Sequence, residues 1–293
     1  MASMIDRYHL RYFLSVIDTG NFTRAAAACN VSQPTLSVGI AKLEKSLGQS
    51  LFDRTNRRVA LTDAGARLVS YARTIEASFA AAEREVVGAA AMRTLRLGVL
   101  TTTPRRWIER FLLAHRATGA GGQIEIVEGR DRELRERLTR GRIDAALMLL
   151  RDGDDGEPLR TEGYGLALGA SHPLAGRTVI RAEDLVNDPM IVRRHCELLP
   201  ETSRFFTSRG VRPVFAARTT SDDTALSYVR AGLGVTVMPD GFREPGIVRA
   251  ALEGFDFTRD IGLVFAPHVA AKELVQSPAI VALMAAVRPD DVG

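Results

Sequence analysis

The stretch Val31-Ser32-Gln33-Pro34-Thr35-Leu36-Ser37, running on to Leu47 and Gly48, leaves the chain few alternatives. Ser32 can cap a helix with its hydroxyl, Pro34 is tolerated in a first turn whose amides lack intrahelical partners, and Gly48 suits a C-terminal stop. The spacing predicts a helix from Gln33 to Leu47. Leu36, Ile40, Leu43 and Leu47 recur at helical intervals and pack inward, which leaves Gln33, Thr35, Ser37, Lys42 and Lys45 outside. Short polar side chains at a helix start, with lysines further along, suit a helix whose N-terminal end enters a groove of DNA.

The residues before it supply the rest of a motif. Phe22 to Cys29 reads as a short alanine-rich helix, small enough for close packing, and Asn30 and Val31 form a tight turn, so the pair makes a helix-turn-helix. An ordinary helical hairpin has the same spacing, and context favours the DNA-binding reading. Leu10, Phe13, Leu14 and Ile17 form an apolar stripe on a preceding helix, and Phe52 to Leu61 reads as a hairpin with a basic tip, a wing. The candidate DNA contacts are Thr23, Arg24, Ser32, Gln33, Pro34, Thr35, Ser37 and Lys42, with Arg54, Arg57 and Arg58 on the wing.

Charge agrees. Up to Thr62 there are eight Lys or Arg against four acids, and the remainder carries thirty-one of each sign, so the whole formal excess of +4 lies on the candidate DNA-binding segment. Hydrophobic residues make up 46%, ordinary for a globular protein, and no apolar run approaches a membrane span. The start lacks a basic flank followed by an apolar core, so secretion is not expected and a cytoplasmic location is. Cys29 and Cys196 fall in different predicted domains, which excludes a disulfide framework and metal-ligand spacing.

Asn21 to Ala26, Val31 to Ser37, Leu43-Glu44, Leu51 to Arg54 and Leu61 to Gly65 together resemble, in order and spacing, the signature of LysR-type transcriptional regulators. Further along, Ser171 to Leu174 and Ala231 to Val235 with Pro239 are similar to shorter landmarks of that family's effector domain. The resemblance implies a winged helix-turn-helix, a linker helix that pairs protomers, commonly a dimer of dimers, and a two-lobed effector domain folded like periplasmic solute-binding proteins. It also implies double-stranded DNA, a small-molecule effector and RNA polymerase as partners.

The pattern along the chain fits an α/β protein of that layout. Residues 1–61 form the winged helix-turn-helix. Residues 62–91 form a helix with a heptad seam at Leu68, Ala72, Ile75, Phe79, Ala82 and Val86, about 44 Å long at 1.5 Å per residue. Such a seam dimerises or packs on its own C-terminal domain. From Leu95 strands and helices alternate as a parallel βαβαβ unit, giving one effector lobe over 92–160 and 266–293 and a second over 161–265.

In open parallel sheets ligands bind beyond the carboxyl ends of strands. Thr101, Thr102 and Thr103 occupy that place after the first strand, Arg193 and His195 after the strand ending at Val192, and Thr219 and Ser221 after the strand Val214 to Ala217. Arginine can grip an anion in bidentate fashion, so a small anionic effector is expected there. Helix capping by one threonine, and plain solvation of an arginine in a chain with only three lysines, are the alternatives. Cys196, beside Arg193, Arg194 and His195, offers a redox sensor as another reading, although no second cysteine is near in sequence. A two-lobed solute-binding protein or enzyme is the reading from another class. No nucleophile elbow, phosphate loop or metal spacing is present, so neither catalysis nor a cofactor is expected.

Overall fold

The computed structural model describes residues 5–53, 59–86, 94–119, 122–267 and 269–289. The N-terminal unit holds α1 (Arg7–Thr19), α2 (Phe22–Ala28) and α3 (Gln33–Leu47). Each starts on the cap its sequence supplies: the side chains of Asp6, Asn21 and Ser32 accept amide hydrogen bonds from Tyr8, from Thr23 and Arg24, and from Thr35. Gly20 and Gly48 end α1 and α3 in the left-handed region, at φ 65° and 64°. Asn30, in the turn of the helix-turn-helix, is the positive-φ non-glycine residue among those described, at φ 55°.

Leu10, Phe13, Ala25, Leu36, Leu43 and Phe52 meet in one buried core. Two contacts explain motif residues that hydrophobic periodicity passes over. The Glu44 carboxylate is buried and accepts from the Leu51 amide at 2.8 Å and the Phe52 amide at 3.4 Å, tying α3 to the following strand. A Cβ at Gly65 would lie 2.2 Å from the Leu51 carbonyl oxygen, so only glycine admits this approach.

β1 (Phe52–Asp53) and β2 (Ala60–Leu61) pair antiparallel as the predicted wing. Arg54, Arg57 and Arg58, expected at its tip, lie outside the described residues. α4 (Asp63–Val86) begins after Thr62, whose hydroxyl accepts from the Gly65 amide at 3.0 Å. Its 24 residues span about 36 Å. The heptad stripe divides: Leu68, Ala72 and Ile75 pack into the N-terminal core, whereas Phe79 stays 46% exposed beneath the Arg7 guanidinium, 4.5 Å from the ring centroid. The first half of the stripe therefore completes its own domain. The side chains of Ala82 and Val86 lie outside those described.

The first effector lobe follows its prediction. β3 (Leu95–Leu100) pairs in parallel with β4 (Ile124–Gly129) and β5 (Ala145–Leu149), linked through α5 (Arg105–Ala117) and α6 (Asp131–Thr139). α5 has Pro104 as its N-cap and no side-chain capping bond.

The second lobe differs from a second parallel unit. β6 (Gly156–Gly169) is one strand of fourteen residues, starting before the boundary at residue 161 that the sequence suggests. It is followed by β7 (Val179–Ile180), β8 (Met190–Arg193), α7 (Leu199–Ser208), β9 (Phe215–Thr219), α8 (Asp222–Arg230), β10 (Thr236–Pro239), β11 (Ile247–Leu252) and β12 (Thr258–Phe265), then α9 (Ala271–Val275) and α10 (Pro278–Val287). β10, β11 and β12 all pair antiparallel with β6, and β12 also pairs antiparallel with β5. One sheet in the order β4-β3-β5-β12-β6-β11-β7 thus runs through both lobes, and the parallel pairs of the second lobe are β8 with β9 and β7 with β11. β6 and β12 serve both lobes, so the hydrogen-bond ladder crosses the division drawn at residue 160.

Candidate DNA interface and effector site

On α3, Gln33, Pro34, Thr35 and Lys42 are exposed and Ser37 is half-buried, while Leu36, Ile40 and Leu43 face the core. The polar start is internally ordered. Gln33 Nε2 donates to Ser37 Oγ at 2.9 Å, and the Ser32 and Thr35 hydroxyls lie 2.8 Å apart. Thr23 and Arg24 at the start of α2 are exposed too, with the Arg24 guanidinium donating to the Thr19 carbonyl at 2.6 Å. A rigid helix end that presents an amide side chain, hydroxyls and a lysine has the chemistry to read base edges and touch phosphates.

At the junction of the effector lobes the centre is Arg259 of β12, 5% exposed. Its Nη1 donates to Glu197 Oε1 at 2.6 Å and to Thr102 Oγ1 at 3.2 Å. Its Nη2 donates to Glu162 Oε1 at 2.7 Å and the Thr102 carbonyl at 3.1 Å. Tyr164 donates to Glu197 Oε1 at 2.6 Å. Burial works against the Glu197 carboxylate, but the Arg259 charge and the Tyr164 hydroxyl outweigh it and hold its pKa below the ordinary glutamate value. Burial likewise raises the Tyr164 pKa, so its hydroxyl remains a donor.

The predicted effector residues lie around this network, but in other roles than expected. Thr102 is 1% exposed and spent on Arg259. Arg193 was expected to offer a free guanidinium to an anion; instead its Nε and Nη2 each donate to Asp222 at 2.6 Å, and Nη1 donates to the Val237 carbonyl at 3.1 Å. A buried charge must be paired, and Asp222 in the first turn of α8 does this within the lobe. Ser221 caps α8 by accepting from the Thr224 amide, and Thr219 Oγ1 accepts from the Ser221 amide. Ser221 is thus a helix cap, whereas no side chain caps α5, so the capping expected of one threonine among Thr101, Thr102 and Thr103 is not found. Thr101 is half-buried, and Thr103 Oγ1 and His195 Nδ1 are buried without a hydrogen-bond partner. Those two groups remain open to a ligand. With Arg193 neutralised and Arg259 facing two glutamates, this junction is no anion clamp.

Cys196 borders a largely apolar cavity of about 420 Å³ inside the second lobe, shared with Leu199, Phe206, Phe215 and Thr236. Burial raises its thiol pKa and the Arg193 charge only partly offsets this, so the thiol predominates over the thiolate at neutral pH.

Residues 88–289 match the LysR substrate binding domain, and residues 8–66 match the bacterial regulatory helix-turn-helix protein of the lysR family. The chain belongs to the LysR family of DNA-binding transcriptional regulators. This LysR-family chain is 34% identical over 269 residues to a probable hydrogen peroxide-inducible genes activator of Mycobacterium avium, covering 87% of this chain and 86% of that protein. It is 30% identical over 270 residues to the DNA-binding transcriptional dual regulator OxyR of Escherichia coli, covering 88% of each. Among solved structures, a full-length OxyR variant from Pseudomonas aeruginosa superposes with a TM-score of 0.64 at 25% identity, covering 99% of this chain and 97% of that one. Full-length CbnR complexed with its target DNA shares the fold, with a TM-score of 0.53 at 23% identity over 96% of this chain and 98% of that one.

In this LysR-family regulator, Arg259, Glu162, Tyr164, Glu197 and Asp222 escaped sequence reasoning. Arg259 and Thr102 are 157 positions apart and Arg259 and Glu162 are 97 apart. No local spacing signals such a cluster.

Proposed function

We propose that this LysR-family regulator acts in the cytoplasm on operator DNA as a dimer or dimer of dimers, with RNA polymerase as its further partner and no turnover of substrate. A small molecule seated among Thr101, Thr103, His195 and Thr219 adjusts how the paired heads sit on DNA. The observation that carries the reading is the exposed polar start of α3, with Gln33 and Ser37 pre-set by their mutual hydrogen bond. Pairing is supported by the exposed Tyr71 and Phe79 on α4, at 69% and 46%. The test is binding of genomic duplexes against random DNA at modest salt, with and without candidate metabolites. Absence of any sequence preference overturns the reading.

A second reading makes Cys196 a peroxide sensor, favoured by the names of the relatives that are 30% to 34% identical. The sulfur would form an S–O bond as the O–O bond breaks, leaving Cys196 as a sulfenic acid and, after proton uptake, releasing water. The raised thiol pKa weighs against speed, and Cys29 is the chain's other cysteine, in the N-terminal unit. Peroxide-dependent DNA binding that disappears in Cys196→Ser would establish this reading; peroxide-independent binding removes it.

A further inference from the structure

α7 turns one row of side chains toward β8 and β10: Leu199, Thr202, Ser203, Phe206 and Thr207, at helical intervals. Large apolar side chains ordinarily fill such a row, but three of these five are short hydroxyl residues. The space they leave is the cavity of about 420 Å³ that Cys196 borders, walled on the other side by Met190, Ile191 and Val237. It is cut into the core of the second lobe, where Met190, Phe206 and Val237 are 5%, 2% and 4% exposed. Protein interiors are close-packed, so the walls of an empty space this large forgo their contacts.

The buried part of the lining offers little to a polar guest. Thr202 Oγ1 donates to the Leu198 carbonyl and Thr236 Oγ1 to the Ile191 carbonyl, each at 2.8 Å. Arg193 is neutralised by Asp222, and no acid lines the cavity. Waters there would lack the polar partners that hold a buried water, and a charged ligand would be buried without a counter-ion. The mouth is marked by the lining residues that reach solvent: Ser203, Thr207, Arg212 and Phe215. β8, from Met190 to Arg193, runs along the space for about 10 Å. An apolar cavity of about 150 Å³ holds benzene, so this one has room for a bicyclic aromatic or a medium-length alkyl chain.

We propose that the space between α7 and β8 is a binding site for one neutral, apolar small molecule, an aromatic or alkyl body with at most a hydroxyl, which faces Ser203 and Thr207 at the mouth. Once seated, it supplies the α7 row with the contacts that its short side chains do not make, and it covers the Cys196 side chain. The site rests on neither reading of the proposed function. Every lining residue falls between 190 and 237, within the second lobe, and Thr101, Thr103, His195 and Thr219 are not among them.

The experiment is calorimetric titration and thermal unfolding of the full chain with 1-octanol, 2-naphthol and, as a charged counterpart, sodium octanoate. At least one neutral probe should bind one molecule per chain and raise Tm, by the linkage of ligand to the folded state. Whichever acts tells an alkyl from an aryl occupant. Ser203→Phe and Thr207→Phe, which place a ring where the row is short, should each weaken that binding about tenfold or more. Ser208→Phe is the control, since Ser208 lies on α7 but does not line the cavity, and it should keep the affinity. In the wild type, a saturating neutral probe should slow iodoacetamide labelling of Cys196 about fivefold or more, because access governs the reaction. Labelling of Cys29, in the N-terminal unit, should be unchanged and serves as the internal reference. No gain of Tm with either neutral probe, octanoate binding as tightly as octanol, unchanged affinity in both α7 variants, or Cys196 labelled at the same rate with and without probe each overturns the proposal.

Discussion

Single atoms decide several positions. Gly65→Ala would push a methyl into the Leu51 carbonyl oxygen at 2.2 Å, and backbone cannot swing aside as a side chain can. Overpacking of this kind costs about 1–3 kcal/mol, so urea unfolding of the variant should show at least that loss. Arg193 and Asp222 form a buried bidentate pair with 2.6 Å bonds, and removing one member strands the other charge. Asp222→Ala should therefore cost about 3–5 kcal/mol. A loss below 1 kcal/mol, seen in the same unfolding assay, would mean that Arg193 is free to turn outward.

At the scale of the element, α3 combines a capped start, an apolar inner face and a polar outer one. Ser32→Ala removes the acceptor of the Thr35 amide and should cost about 1 kcal/mol in thermal unfolding. Lys42→Ala should weaken binding to all duplexes alike and reduce the slope of log K against log salt by roughly one unit. Gln33→Ala should instead change which duplex is preferred, with the salt slope kept. Binding isotherms on two sequences at several salt concentrations separate these outcomes. On α4 one stripe divides: Leu68, Ala72 and Ile75 belong to the N-terminal core, and Phe79 stays exposed beneath the Arg7 guanidinium.

For the whole molecule, the Arg259 network joins both lobes through Thr102, Glu162 and Glu197. The folded-state pKa of Glu197 is depressed, so its contribution to stability is present above the unfolded value of about 4.3 and is lost as pH falls through the lowered one. Glu197→Gln should be less stable than wild type at neutral pH, and its stability should fall less steeply with acid below about pH 4.3. Stability curves from pH 7 to 3 that run parallel for the two proteins would remove Glu197 from this role. No helix among the described residues is long and apolar enough to cross a membrane.

What was legible in the chain by itself was whatever depends on neighbours in sequence. The cap at Ser32, the stop at Gly48 and the span Gln33–Leu47 follow from backbone groups satisfied within a few residues. The family signature is short-range as well. Tertiary structure alone decided that β6 and β12 pair across both lobes, that Arg193 is closed by Asp222, and that Arg259 gathers its partners from three elements. Antiparallel pairing over a hundred residues leaves no period in the sequence, and a buried arginine reads like a solvated one until the acid that meets it is located. Which guanidinium is paired is a property of packing, as the closure of Arg193 by Asp222 shows.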